Sequence, residues 1–216
     1  MSKRCEFDKL WASGETERIQ EFQSSGEIES AHECEFDGGR EMHDYTIETE
    51  RLILRPLKID DAEAVYQWVS DERVAKYMVY NTYTSLEAVV EWLTMLQKPD
   101  EEYHFGFVRK EDGLLIGSGS IGPDSARSDF WSFGYNLRYD CWGNGFATEA
   151  TKAMMKFANE HFDVVKFSSS HVEQNKASGH VMEKCGLCFT KYGQFQKLDG
   201  SNKMRSMEYE GEINSF

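Results

Sequence analysis

A chain of 216 residues with 40% hydrophobic and 13% aromatic side chains can pack one core and little more, so one domain with an extension is expected. A formal charge of −14 argues against general nucleic-acid binding, which needs concentrated basic stripes, and favours cationic partners. Five scattered cysteines (Cys5, Cys34, Cys141, Cys185, Cys188) do not describe a disulfide scaffold; reduced thiols are expected, and without a long apolar run or a leader-like start, so are a cytoplasmic location and no membrane contact.

Residues 1–41 carry eleven acidic and five basic side chains and few apolar ones. Such a segment cannot build a core by itself. A short helix over residues 15–23 would need docking on the main domain or on a second copy of the chain, which keeps a homodimer open. The expected division is therefore a weakly ordered or docked acidic extension, 1–44, and a folded domain, 45–216.

Beyond Arg51, Leu52 and Leu54 alternate up to Pro56, a strand stopped by proline. Asp60 is expected to cap a helix over Asp61–Val69, with Ala64, Val65 and Trp68 on one face. Ser85 should cap a second helix reaching Gln97, with Val89, Trp92, Leu93 and Leu96 as its stripe. Strands follow at Tyr103–Arg109 and Leu114–Ile121, joined through the hairpin signal Asp112-Gly113, and again at Phe130–Leu137. After a helix ending near Ala158 come a strand over Val164–His171, a helix over Lys176–Lys184, and strands near Leu187–Phe195 and Met204–Tyr209. This order describes an α/β (α+β) fold with a mixed sheet.

The most informative stretch is Tyr139–Ala158, YDCWGNGFATEATKAMMKFA. Gly143, Gly145 and Ala147 let the backbone come close to a ligand, and the helix behind them offers free N–H groups and the positive end of its dipole, as a pyrophosphate requires. Ala150, Ala153, Met154, Phe157 and Ala158 form the apolar stripe of that helix. A P-loop would need Lys followed by Ser or Thr where Phe146, Ala147 and Thr148 stand. A dinucleotide fingerprint would need Gly at Thr148 and an acidic residue closing the next strand, which instead ends in serines and His171.

The run Trp142-Gly-Asn-Gly-Phe-Ala147 resembles the acetyl-CoA pyrophosphate loop of GNAT N-acetyltransferases, in the form seen in their RimJ/RimL-like, ribosomal-protein branch, with Trp142 standing where many relatives have Gln or Arg. Asn175–Leu187, NKASGHVMEKCGL, resembles a second segment of the family, with Asn175, Ser178, Glu183, Lys184 and Gly186 matching and Leu187 in place of Phe. Glu48–Pro56 looks like the first strand of that branch. The resemblance implies the GNAT acyl-CoA N-acyltransferase fold, a mostly antiparallel mixed sheet flanked by helices. It also implies an enzyme that moves an acetyl group directly from acetyl-CoA to a primary, cationic amine, on a protein N-terminus or a small molecule.

The same resemblance implies that Asn136, Leu137 and Tyr139 meet the acetyl and pantetheine, that Trp142, Gly143, Asn144, Gly145, Phe146, Ala147 and Thr148 take the pyrophosphate, and that Asn175 bonds the pantetheine arm. It makes Tyr77, Tyr80, Tyr83 and Trp92 candidate acceptor contacts, although aromatics at helical spacing are often core. Many GNAT enzymes carry a thiolate-protonating Tyr at the position of Met182, which has no proton to give. Ser178, one helical turn earlier, is then the candidate acid; its structural alternative is bonding of local backbone. The branch often has a carboxylate base at the position of Ser132, so the base stays open among His104, His171 and Glu173, each of which could equally be structural. Cys185-Gly-Leu-Cys188 lacks a second Cys or His pair, and no metal is expected. A non-catalytic acyl-CoA-binding module remains the alternative.

Overall fold

The computed structural model describes residues 45–98 and 101–213. The acidic extension and the helix expected over residues 15–23 lie outside the described residues.

Strands β1 (Ile47–Glu48), β2 (Leu52–Pro56), β3 (Tyr103–Arg109), β4 (Leu115–Asp124), β5 (Arg127–Leu137), β6 (Lys166–Val172), β7 (Cys188–Phe195) and β8 (Met204–Glu212) join in one sheet of order β1-β2-β3-β4-β5-β6-β8-β7. Neighbours run antiparallel except β5 and β6, which are parallel. A parallel pair needs a crossover, and a long helix with its glycine loop supplies it. The helices are α1 (Ala62–Val69), α2 (Glu72–Ala75), α3 (Leu86–Leu96), α4 (Phe146–Phe162) and α5 (Lys176–Lys184). None of those described is long and apolar enough to cross a membrane.

Two cores lie on opposite faces of the sheet. Leu52, Leu54, Phe105, Phe107 and Ile116 pack under the Ala150, Ala153, Met154, Phe157 and Ala158 stripe of α4, joined by Met182 of α5. Leu57 and Leu115 meet Val65, Trp68, Val89 and Leu93 of α1 and α3. Gly106 marks the change of face: a Cβ added there would come within 2.8 Å of both Leu57 and Leu115, away from its neighbours Phe105 and Phe107. Each such fully buried aliphatic or aromatic side chain contributes about 1.5–3 kcal/mol of transfer free energy, before ordering costs are met.

Local signals work as the sequence suggests at most ends. Ser85 Oγ accepts the Ala88 N–H at 3.3 Å, and Gly113 turns the β3–β4 hairpin at φ 72°. Asp60 is a correction. It is exposed, and Asp61 instead organises the turn, accepting the Lys58 N–H at 2.8 Å while Arg55 grips both its oxygens at 2.7 and 2.8 Å. That pairing holds the Asp61 carboxyl below its usual range. The strand expected from Val164 begins at Lys166, because Asp163 in left-handed conformation (φ 55°) ends α4 and the Val164 N–H still points to Ala158 O.

Candidate active site

Backbone pairing between β5 and β6 covers only Trp131 with Phe167 and Ser132 with Ser168. Past that point Ser169 Oγ donates to Phe133 O at 2.9 Å, and the strands run on to Leu137 and Val172 without further register pairs. The result is a wedge, one wall of which is the β5 edge from Gly134 to Leu137. Strand backbone left unpaired by a neighbour is suited to an extended ligand.

At the mouth of the wedge the chain makes a 3₁₀ turn over Tyr139–Cys141 and then the glycine loop. Gly143 and Gly145 hold φ of 77° and 81°, which L side chains rarely adopt, and from Gly145 the chain enters α4. Residues 142–145 are exposed while Phe146 is buried beneath them. A Cβ on Gly143 would meet nothing within 4 Å, so the loop backbone faces open space. The first α4 amides have no intrahelical acceptor, and they point toward it.

The side chains around the loop brace it. Trp142 Nε1 donates to Leu137 O at 3.0 Å, its ring lies 5.0 Å from that of Tyr139, and the Arg73 guanidinium of α2 stacks 3.8 Å over Tyr139. Asn144 Nδ2 donates to Cys141 O at 3.3 Å and to Trp142 O at 3.1 Å. Asn136 Oδ1 accepts from Ser118 Oγ at 3.1 Å. Ala147 and Thr148 sit half-buried in the first turn of α4, where Thr148 O accepts from Cys185 Sγ at 4.0 Å and ties α5 to the loop.

Helix α5 crosses the wedge on the α4 side. Asn175 caps it, its Oδ1 accepting the Ser178 N–H at 3.4 Å. Ser178 Oγ lies 2.8 Å from the hydroxyl of Tyr135 on β5, and that hydroxyl also donates to Ser178 O at 3.3 Å. Tyr135 is a residue that sequence reasoning missed; its only signal was an aromatic place in the strand that delivers the chain to the loop. Burial pushes its phenol pKa upward, which keeps it protonated. Met182, buried at 1% exposure, belongs to the core.

The three candidate bases separate. His171 is buried at the end of β6 with Nδ1 2.8 Å from Val172 O, and Nε2 lies under Gly179 of α5 without a hydrogen-bond partner. Burial pulls its pKa down, so it is neutral at pH 7. Glu173 is held by Arg205 at 2.6 and 2.9 Å, which lowers its pKa. His104 stands on β3, two strands from β5, its backbone engaged with the Tyr45 hydroxyl at 3.2 Å. Among the acceptor candidates, Tyr80, Tyr83 and Trp92 pack against the second core, and Tyr77 is half-buried beside Lys76. Lys197, buried in the β7–β8 turn, donates to Ala75 O at 3.0 Å and Tyr80 O at 2.7 Å, fastening that turn to the segment between α2 and α3. No cluster of three or more His, Cys, Asp or Glu that could hold a metal occurs among the described residues. Cys185 is buried, its thiol pushed up to about 11, while Cys188 is exposed.

A family model described as the acetyltransferase (GNAT) domain matches residues 51–187. An uncharacterized N-acetyltransferase, p20, of Bacillus licheniformis is 26% identical over 161 residues, covering 72% of this chain and 89% of the relative. In fold, the chain is similar to a GNAT-family acetyltransferase from Bacillus anthracis at TM-score 0.69 and 21% identity, over 78% of this chain and 98% of the other. It is similar also to RimL, a ribosomal L7/L12 alpha-N-protein acetyltransferase solved with coenzyme A, at TM-score 0.68 and 18% identity over 80% and 100% of the two chains. The splayed β5–β6 pair, the glycine loop and a family match spanning more than half the sequence agree, and the chain belongs to the GNAT acetyltransferase family.

Proposed function

We propose that this protein is an acetyl-CoA-dependent N-acetyltransferase of the RimJ/RimL-like kind, moving an acetyl group directly to a primary amine. The observation that carries the reading is one wedge that gathers an open β5 edge, an exposed glycine loop at a helix N-terminus and the Ser178–Tyr135 hydroxyl pair. The residues fit the donor: the loop has room for a pyrophosphate at Gly143, and the turn at Tyr139 with the strand edge at Asn136 and Leu137 leads from it toward Ser178. The RimL protein solved with coenzyme A, similar in fold, supports the same reading.

When bound, acetyl-CoA supplies the acetyl as a thioester, and its sulfur leaves as a thiolate in need of one proton. Residues 142–148 hold the diphosphate, Asn175 and the β5 edge the pantetheine. Ser178 Oγ–H gives the sulfur its proton, freed for that role when the Tyr135 O–H, 2.8 Å away, donates to Ser178 Oγ rather than to Ser178 O. The proton shed by the attacking amine passes through water to Ser178, which is thereby restored, so the net change is one proton from nitrogen to sulfur.

His171, enclosed by α5, and Glu173, gripped by Arg205, would serve as bases only through water or after rearrangement. An amine that sheds its proton readily suits such a site: an α-amino group, pKa about 8, better than a lysine, about 10.4. The test is release of free CoA thiol from acetyl-CoA against peptides with free N-termini, internal lysine peptides, polyamines and aminoglycosides. Amine-dependent release, strongest with α-amino groups, is expected. Binding of acetyl-CoA with no release by any amine would replace the enzyme with a non-catalytic acyl-CoA-binding module.

A further inference from the structure

The turn between β1 and β2 reaches across to the first turn of α4 through one carboxylate. Glu149 Oε1 accepts from Thr49 Oγ1 at 2.6 Å and from the Arg51 N–H at 2.8 Å. Its Oε2 accepts from Arg51 Nε at 2.7 Å and meets Nη2 at 2.7 Å. Arg51 has a second grip, since Nη1 donates to Asn144 O at 3.0 Å and the guanidinium lies 4.6 Å over the Phe146 ring. Thr49 is itself fixed, its Oγ1 accepting the Leu52 N–H at 2.9 Å. One arginine thus touches the carboxylate of α4, the carbonyl between the two loop glycines and the ring at the start of the helix.

Charge gives this arrangement a second consequence. Glu149 is an anion one turn into the helix whose N-terminus would receive a diphosphate, and alone it would repel that ligand. Arg51 cancels it and remains 43% exposed on its side chain. Resting on the reading of the loop as a diphosphate site, we propose that Arg51 and Glu149 are positioning residues, a latch that sets the shape and charge of the glycine loop and so selects donors carrying a diphosphate.

The experiment compares acetyl-CoA with S-acetyl-pantetheine, which lacks the nucleotide diphosphate, on the full chain and on Arg51→Met, Arg51→Lys and Glu149→Gln. Arg51→Met is expected to weaken acetyl-CoA binding about tenfold or more, the order of one lost charge-assisted contact. The rate at saturating acetyl-CoA and kcat/KM for S-acetyl-pantetheine should fall far less, and Arg51→Lys should recover part of the affinity by restoring charge without the fork. Glu149→Gln, which keeps an acceptor and removes the repelling charge, should lose less than Arg51→Met. Equal losses with both donors would reduce the latch to general stability. Unchanged acetyl-CoA affinity in all three variants, with the parent binding normally, would overturn the latch alone. A parent that fails to bind acetyl-CoA would overturn the diphosphate reading and the latch with it.

Discussion

Ser178 and Tyr135 are forty-three residues apart in sequence and 2.8 Å apart in space, and each changes the meaning of the other. A serine in the first turn of a helix ordinarily bonds its own backbone; here Asn175 has taken the capping role, and the serine hydroxyl meets the phenol of half-buried Tyr135. Ser178→Ala should lower kcat by about a hundredfold while acetyl-CoA affinity changes little, as expected for loss of a general acid. Tyr135→Phe, which keeps the ring and removes only the orienting hydroxyl, should cost less than Ser178→Ala; a larger loss would make Tyr135 the acid. His171 makes a separate prediction about stability. Its pKa is lowered mainly by burial, with Lys176 lowering and Val172 O and Glu183 raising it, so the unfolded chain binds its proton more readily. The sign follows: the contribution is complete above the unfolded value, about 6.5, and is lost as pH falls below it. Urea melts at pH 7.5 and 5.5 should therefore differ less for His171→Gln than for the parent protein, and an equal difference would contradict the burial account.

At the scale of elements, α4 is where sequence and structure agree most closely, because its evidence is local. The 3.6-residue stripe and the two positive-φ glycines are written in consecutive residues, and all five apolar positions are buried. Gly145→Glu should abolish acetyl-CoA binding, since it forces a side chain onto φ 81° and adds an anion at the loop; normal affinity in a calorimetric titration would contradict the loop assignment. Asp60 was misjudged because capping by Asp60 or Asp61 looks alike in sequence, and the Arg55 fork decided between them. The Glu149 latch was invisible for another reason. Its partners lie 98 and 100 residues away, and nothing local distinguishes that glutamate from a solvated one.

Across the whole molecule, seven of the eight described strands and the helices α1, α3, α4 and α5 were legible from periodicity, whereas the four-residue α2, the order β6-β8-β7 and the early end of β5–β6 pairing were not, since so short a helix carries no period and pairing partners leave no local mark. The short β1 also escaped notice, as two residues carry no period. The long-range ties show how the wedge is enclosed. Residues 73–81 reach from Tyr139, at the end of β5, to the β7–β8 turn, where Lys197 donates to two carbonyls and the Leu198 N–H to Val79 O at 2.9 Å. Lys197→Met would strand both carbonyls and should lower stability by about 1–3 kcal/mol, measured by denaturant melts. A neutral result would mean that the turn is held by its backbone contacts alone.

The central claim is that the wedge and its glycine loop receive acetyl-CoA, and calorimetric titration of the full chain tests it most directly, with NADH and ATP run beside it. One-to-one binding of acetyl-CoA, weakened strongly by Gly145→Glu and absent for NADH, is the predicted result. No heat of binding with acetyl-CoA, or equal binding of all three nucleotides, would contradict the account.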